Sequence, residues 1–153
     1  MTKVQWVKVE NAMKGTFGRA ELLIDGFRVD LERRQVSKNR LGVVVYLHGK
    51  MKGKWLLDED SEYARRFARK VVKNAHNAKE RKEVARLKRM FPKDKYKGAF
   101  WDPDAKITTF CHYWFSFPAM RRRFEAANES IELVHVNWEY EPGMKPEEEK
   151  EAP

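Results

Sequence analysis

The chain has 153 residues, of which 42% are apolar and 12% aromatic, and its formal net charge is +9. That composition excludes a disordered chain and predicts one packed domain over residues 1–138. No run reaches the roughly 18 consecutive apolar residues of a membrane-crossing helix, and one cysteine, Cys111, excludes an internal disulfide framework. The opening Met1–Trp6 lacks the apolar stretch and cleavage site of a secretory signal, so a reducing, cytoplasmic setting is expected.

Taken in order, Val4 to Val9 alternates in the manner of a short strand. Ala20, Leu22 and Ile24 share one parity, Asp25-Gly26 interrupts, and Phe27, Val29 and Leu31 resume it. Asp-Gly between alternating runs predicts a two-residue hairpin, because a type I′ turn needs positive φ at both central positions. Leu41 to Leu47 is β-branched and almost continuously apolar, the pattern of a buried strand. Two glycines between His48 and Gly53 predict a reversal, with Lys54-Trp55-Leu56-Leu57 as the returning strand. The first third therefore reads as an antiparallel meander of four or five strands.

Asp58, Asp60 and Ser61 offer N-caps for a helix. Tyr63, Ala64, Phe67, Ala68, Val71, Val72 and Ala75 then fit a helical stripe, and a break is expected near Asn74-Ala75-His76-Asn77. A second helical stretch runs from about Ala78 to Phe91, with Val84, Leu87 and Phe91 inward and Pro92 as its stop. A second hairpin is predicted with Ala99-Phe100-Trp101 and Lys106–Phe110 as arms and Asp102–Ala105 as turn. Ser116 caps a short helix that tolerates Pro118 in its first turn and buries Phe117, Met120, Phe124 and Ala127. Ile131 to Trp138 alternates as a final strand, and residues 139–153, with six acids, are expected to be a disordered tail. The predicted class is α+β: an antiparallel meander, a long or bent basic helix, a second hairpin, a short helix and a last strand.

Charge is concentrated. Residues 62–97 hold 14 Lys/Arg against 4 Asp/Glu, which supplies the whole excess. Arg65, Arg66, Arg69, Lys70 and Lys73 oppose the apolar stripe of the first helical stretch, and Lys79, Lys82, Arg86 and Arg89 extend the row. A solvated helix face ordinarily mixes signs, so this imbalance predicts contact with a polyanion. Phe110, Tyr113, Trp114, Phe115 and Phe117 cluster ahead of Arg121-Arg122-Arg123. Rings beside arginines are the ingredients of base stacking, for which Tyr113 and Trp114 are candidates, with Arg121 and Arg122 as phosphate contacts. Most of these rings are expected in the core.

Catalytic and metal chemistry find no support. Cys111 and His112 are adjacent and would point to opposite faces of a strand, and His48, His76 and His135 lack paired spacing. The acids Asp58-Glu59-Asp60 and Asp102/Asp104 fall where a helix cap and a turn are expected, which leaves a Mg²⁺-dependent nuclease as a distant alternative. No cofactor is expected.

The strings Asn39–Tyr46 with Gly53-Lys54-Trp55, and Trp114–Phe117 with Arg121–Phe124 and Asn128–Leu133, resemble small uncharacterised accessory proteins of tailed bacteriophages and prophages, over roughly residues 20–135. These are packing and turn patterns, so no catalytic residue carries over. The resemblance implies a phage-encoded helper working in the cytoplasm of a host bacterium. Two readings stay open: a non-enzymatic protein binding DNA, RNA or a host nucleoprotein, and an inhibitor of a host defence complex of the anti-CRISPR kind.

Overall fold

The computed structural model describes residues 1–91, 98, 101–137 and 139–140. The protein is α+β, with an antiparallel β meander, several helices and a closing strand, and it divides into two compact units. One comprises Met1–Arg69 and Cys111–Pro153, the other Lys70–Phe110.

The larger unit starts with a helix, α1 (Lys3–Ala12), where alternation predicts a strand. Thr2 and Gln5 form a capping box, each side chain satisfying the other's backbone N–H. The residues that become buried are Trp6, Val9, Ala12 and Met13, a helical spacing, while Val4 and Val7 stay exposed. The period of the whole segment, not its first six residues, decides the element.

The meander is β1 (Arg19–Ile24), β2 (Phe27–Ser37) and β3 (Arg40–Leu47), antiparallel throughout. Asp25 and Gly26 close the β1–β2 hairpin with φ of 46° and 83°, as the type I′ turn requires. With β6 (Tyr113–Trp114), β7 (Ile131–Val136) and β8 (Glu139–Tyr140) the sheet has the order β6-β3-β2-β1-β7-β8. β8 pairs His135 with Tyr140 and Val136 with Glu139, so ordered structure continues two residues into the segment expected to be tail. Residues 141–153 lie outside the described residues.

Between β3 and the next strand the expected return over Lys54–Leu57 is instead a single helical turn, α2 (Lys54–Leu57). Trp55 stacks on Tyr63, ring centroids 5.3 Å apart, and Leu57 is 90% exposed. Stacking on Tyr63 half-buries Trp55 without a fourth meander strand. Ser61 caps α3 (Glu62–Arg66) as expected: its Oγ accepts from Ala64 N–H and donates to the Trp55 carbonyl.

One face of the sheet carries the core. Leu22, Ile24, Val29, Leu31, Val43, Val45 and Leu133 meet Trp6, Tyr63, Phe67, Met120 and Phe124. Met120 and Phe124 lie on α5 (Phe117–Ala127), capped by Ser116 with Pro118 in its first turn, as the sequence predicts. Gly18 is a point of close approach, since a Cβ there would meet the Ala12 carbonyl oxygen at 1.9 Å. The opposite face is ionic: Arg19 and Arg34 pair with Glu32, Arg28 with Glu21, and His135 with Glu21 at 3.1 Å. This alternation of apolar and charged faces is what an antiparallel sheet covered on one side demands.

Asp25 ties the hairpin to the α5–β7 loop. Its carboxylate accepts from Ser130 N–H (2.6 Å), Glu129 N–H (3.1 Å), Ser130 Oγ (3.1 Å) and Arg66 Nη1 (2.6 Å). These bonds, the Ser130 backbone bond foremost, hold its pKa below the ordinary carboxylate range. A depressed folded-state pKa contributes stability that is present above the unfolded value and lost as pH falls through the folded one. The stability advantage of the wild type over Asp25→Asn should therefore narrow as pH drops below about 4, and thermal melts across the acid range check it. A pH-independent difference would mean that the carboxylate's charge plays no part.

The smaller unit pairs β4 (Arg69–Asn74) with β5 (Lys106–Cys111) and adds α4 (Ala78–Met90). Here the sequence reading needs its largest correction: residues 69–74 are strand, not the second half of a basic helix. The stripe from Tyr63 to Ala68 is real but ends after one helical turn. Val71 and Val72 are β-branched and lose little in an extended chain that gains ladder bonds. Ala75 N–H donates to the Ala105 carbonyl and Thr109 Oγ1 to the Val71 carbonyl, so β4 and β5 run in opposite directions. β5 thus takes β4 as its partner, rather than the predicted Ala99-Phe100-Trp101 arm, of which Ala99 and Phe100 lie outside the described residues and Trp101 sits in a short helical turn. The Asp102–Ala105 turn forms as expected, with Ala105 N–H on the Asp102 carbonyl. α4 begins at Asn77, which makes a capping box with Glu80. Val84 is buried, but Leu87 is only half-buried and Phe91 is 43% exposed.

Candidate nucleic-acid interface

Helix α4 carries six Lys/Arg against two Glu. At 100° per residue, Lys79, Lys82, Arg86 and Arg89 fall within an arc of about 80°, centred opposite the buried Val84. All four are exposed. From Lys79 to Arg89 the stripe is about 15 Å long at 1.5 Å per residue. Arg86 is the partly neutralised member: Nη2 lies 2.6 Å from Glu83 Oε1 and Nε 3.1 Å from Oε2. Their mutual bonding lowers the Glu83 pKa and raises that of Arg86, so both stay charged. Lys79, Lys82 and Arg89 have no acidic partner among the described residues. Arg81, on another side of the helix, is held by Asp104 and the Pro103 carbonyl.

The strand at β4 changes what its charges can do. Lys70 and Lys73 are three apart, so on an extended chain they project to opposite faces instead of continuing one row. Both are exposed.

Among the predicted contacts of the larger unit, several are engaged in the fold. Arg66 is bound by Asp25 (2.6 Å), Glu62 (3.2 Å) and Asn128 (3.3 Å), and lies over the Phe27 ring. Glu62 is its i−4 neighbour on the same helix, but the row position gave no hint of Asp25, which comes from a hairpin 41 residues away. Arg121 pairs with Glu125 at 2.8 Å and covers Trp6, with its Cζ 5.3 Å from the ring centre. Arg65 is exposed and lends its carbonyl to Arg123; Arg122 is exposed.

Trp114 is withdrawn from the stacking candidates. It is 6% exposed, and its Nε1 donates to the Phe67 carbonyl at 3.1 Å. Pleating sends Tyr113 and Phe115 to the other face, where their centroids lie 5.3 Å apart. Arg69 leans over both rings, at 5.3 and 5.2 Å, and Arg40 lies 4.1 Å from the Phe115 centroid. Burial lowers the pKa of the neighbouring His112. Arg40 escaped the sequence reading as a site residue. The available signal was its even parity on β3, shared with Val44 and Tyr46, which places it on the face opposite the core.

The acid groups considered for nuclease chemistry have structural work. Asp58 Oδ1 accepts from Asp60 N–H, Asp102 Oδ1 accepts from Asp104 N–H, and Asp104 holds Arg81. Among the described residues no group of three or more His, Cys, Asp or Glu is placed to hold a metal ion. Among the described residues no helix is long and apolar enough to cross a membrane.

No protein-family model matches the chain, and no curated protein or solved structure shows significant similarity to it.

Proposed function

We propose that the protein is a non-enzymatic nucleic-acid-binding accessory protein that lays the α4 stripe along a phosphate backbone. The observation that carries this reading is the arc of Lys79, Lys82, Arg86 and Arg89 opposite Val84, three of them without an acid partner among the described residues. Long, exposed cations on the solvent side of a rigid helix can follow the phosphates of one strand, and phosphate contacts carry no sequence information directly. Binding is therefore weakly selective for sequence and strongly dependent on salt. In the setting implied by the phage resemblance, the nucleic acid belongs to the host or the phage, free or within a nucleoprotein.

Fluorescence anisotropy with mixed-sequence oligonucleotides over a salt series tests this. If three to four phosphates are contacted, log Kd against log salt has a slope of magnitude about 2 to 4. A flat salt response, or no binding at low salt, would refute the reading.

A further inference from the structure

The ionic face of the large sheet is not uniform. Toward β1 and β2 each arginine has its acid: Arg19 and Arg34 share Glu32, and Arg28 has Glu21. Toward the β3–β6 edge the pattern changes. Arg40 and Arg69 have no acidic partner among the described residues, and both rest on aromatic rings. The Nε of Arg69 is buried and has no hydrogen-bond acceptor there. Phe115 thus has two guanidinium groups close to its ring, and Tyr113 shares one of them.

Two properties of this cluster point to a ligand. A guanidinium lying on a ring is oriented without being neutralised, and its outer N–H groups remain as a fork that matches phosphate oxygens. Rings and guanidinium planes together also form surfaces on which bases stack, and a base can reach them only when it is out of a duplex.

We infer that Arg40, Arg69, Tyr113 and Phe115 form a second contact site, one that takes an unpaired nucleotide, with the phosphate on the two guanidiniums and the base against Tyr113. This inference rests on the reading of the protein as a nucleic-acid binder and adds strandedness to it: unpaired strands are preferred over duplex.

The test compares a fluorescein-labelled oligothymidylate of about 12 nucleotides, within the span such platforms cover, with a duplex of equal length. The single strand should bind the wild type at least about 5-fold more tightly, the lower end of one stacked base. The double variant Arg40→Lys/Arg69→Lys keeps the charge but loses the fork and the stacking plane. It should weaken single-strand binding about 10-fold and leave duplex binding within about 2-fold. An unchanged thermal melt of each variant reports that the larger unit is intact. Tyr113→Leu, which preserves bulk on β6, should lower single-strand affinity by about 5-fold or more. Equal affinity of the wild type for both forms, or single-strand binding indifferent to both variants, overturns the inference while leaving the α4 reading intact. Failure of the wild type to bind either form removes both.

Discussion

Replacing Lys79, Lys82 and Arg89 together by glutamine should reduce the magnitude of the salt slope by about 2 to 3 units, and the affinity by about 100-fold near 0.15 M salt. The size follows from counterion release: each phosphate that the variant no longer neutralises takes about 0.7 to 0.9 off the slope, and three act together. Glutamine is close to lysine and arginine in helix propensity, so α4 should persist. Arg86 is left in place because Glu83 already occupies it. The matched control is Arg66→Gln in the other unit, whose guanidinium is committed to Asp25 and Glu62. It should cost stability and leave the salt slope unchanged. If the α4 variant retains the wild-type slope, phosphate binding through that helix is wrong.

The largest effect on stability is expected at Phe67. Its ring is fully buried and packs edge-on against Phe124 at 5.7 Å and Phe27 at 6.2 Å, with Tyr63 at 6.0 Å. It therefore joins α3, α5 and the hairpin, and its carbonyl holds the indole of Trp114. Truncation to alanine strips away that ring packing and leaves a cavity walled by rigid rings that cannot collapse into it. The loss should be about 3 to 5 kcal/mol, a large share of the roughly 5 to 15 kcal/mol available to a domain. In urea, where slopes run about 1 to 3 kcal/mol per molar, the midpoint should fall by about 2 M. Phe67→Leu, which fills most of the space, should recover much of it. A midpoint within error of the wild type would show that the ring cluster is not the centre of the core.

The fold was legible wherever a local rule and the tertiary demand agree. Asp25-Gly26 has one low-strain way to reverse a chain between alternating strands, and it does so. Ser116 with Pro118, and the run Gly42–Tyr46, are similarly unambiguous. The misreadings share a cause: a short apolar pattern fits two periods, and something outside the window chooses. For Val4–Val9 the choice came from the Thr2–Gln5 capping box at its start and from Ala12 and Met13 after it. For Arg69–Asn74 it came from β5, some 35 residues later, whose edge offers ladder bonds that no periodicity count includes. The candidate site was legible in part for the same reason. The arc on α4 depends only on helical spacing within one element, and it survived. Arg66 depends on the fold bringing Asp25 near, Arg121 pairs with Glu125 at a local i,i+4 spacing that the row count passed over, and Trp114 depends on which face of a two-residue strand turns inward. Arg40 and Arg69, from positions 29 residues apart, come together over Phe115 only when β6 adds to β3.

Lysine acetylation footprinting read by mass spectrometry tests the central claim most directly, because it reports contact at named side chains of the unaltered protein. With saturating oligonucleotide at low salt, Lys79 and Lys82 should be protected, and protection should fade as salt is raised. Lys3 and Lys14, exposed on the larger unit, should be modified equally with and without nucleic acid. Bound oligonucleotide with Lys79 and Lys82 still fully reactive would contradict the account.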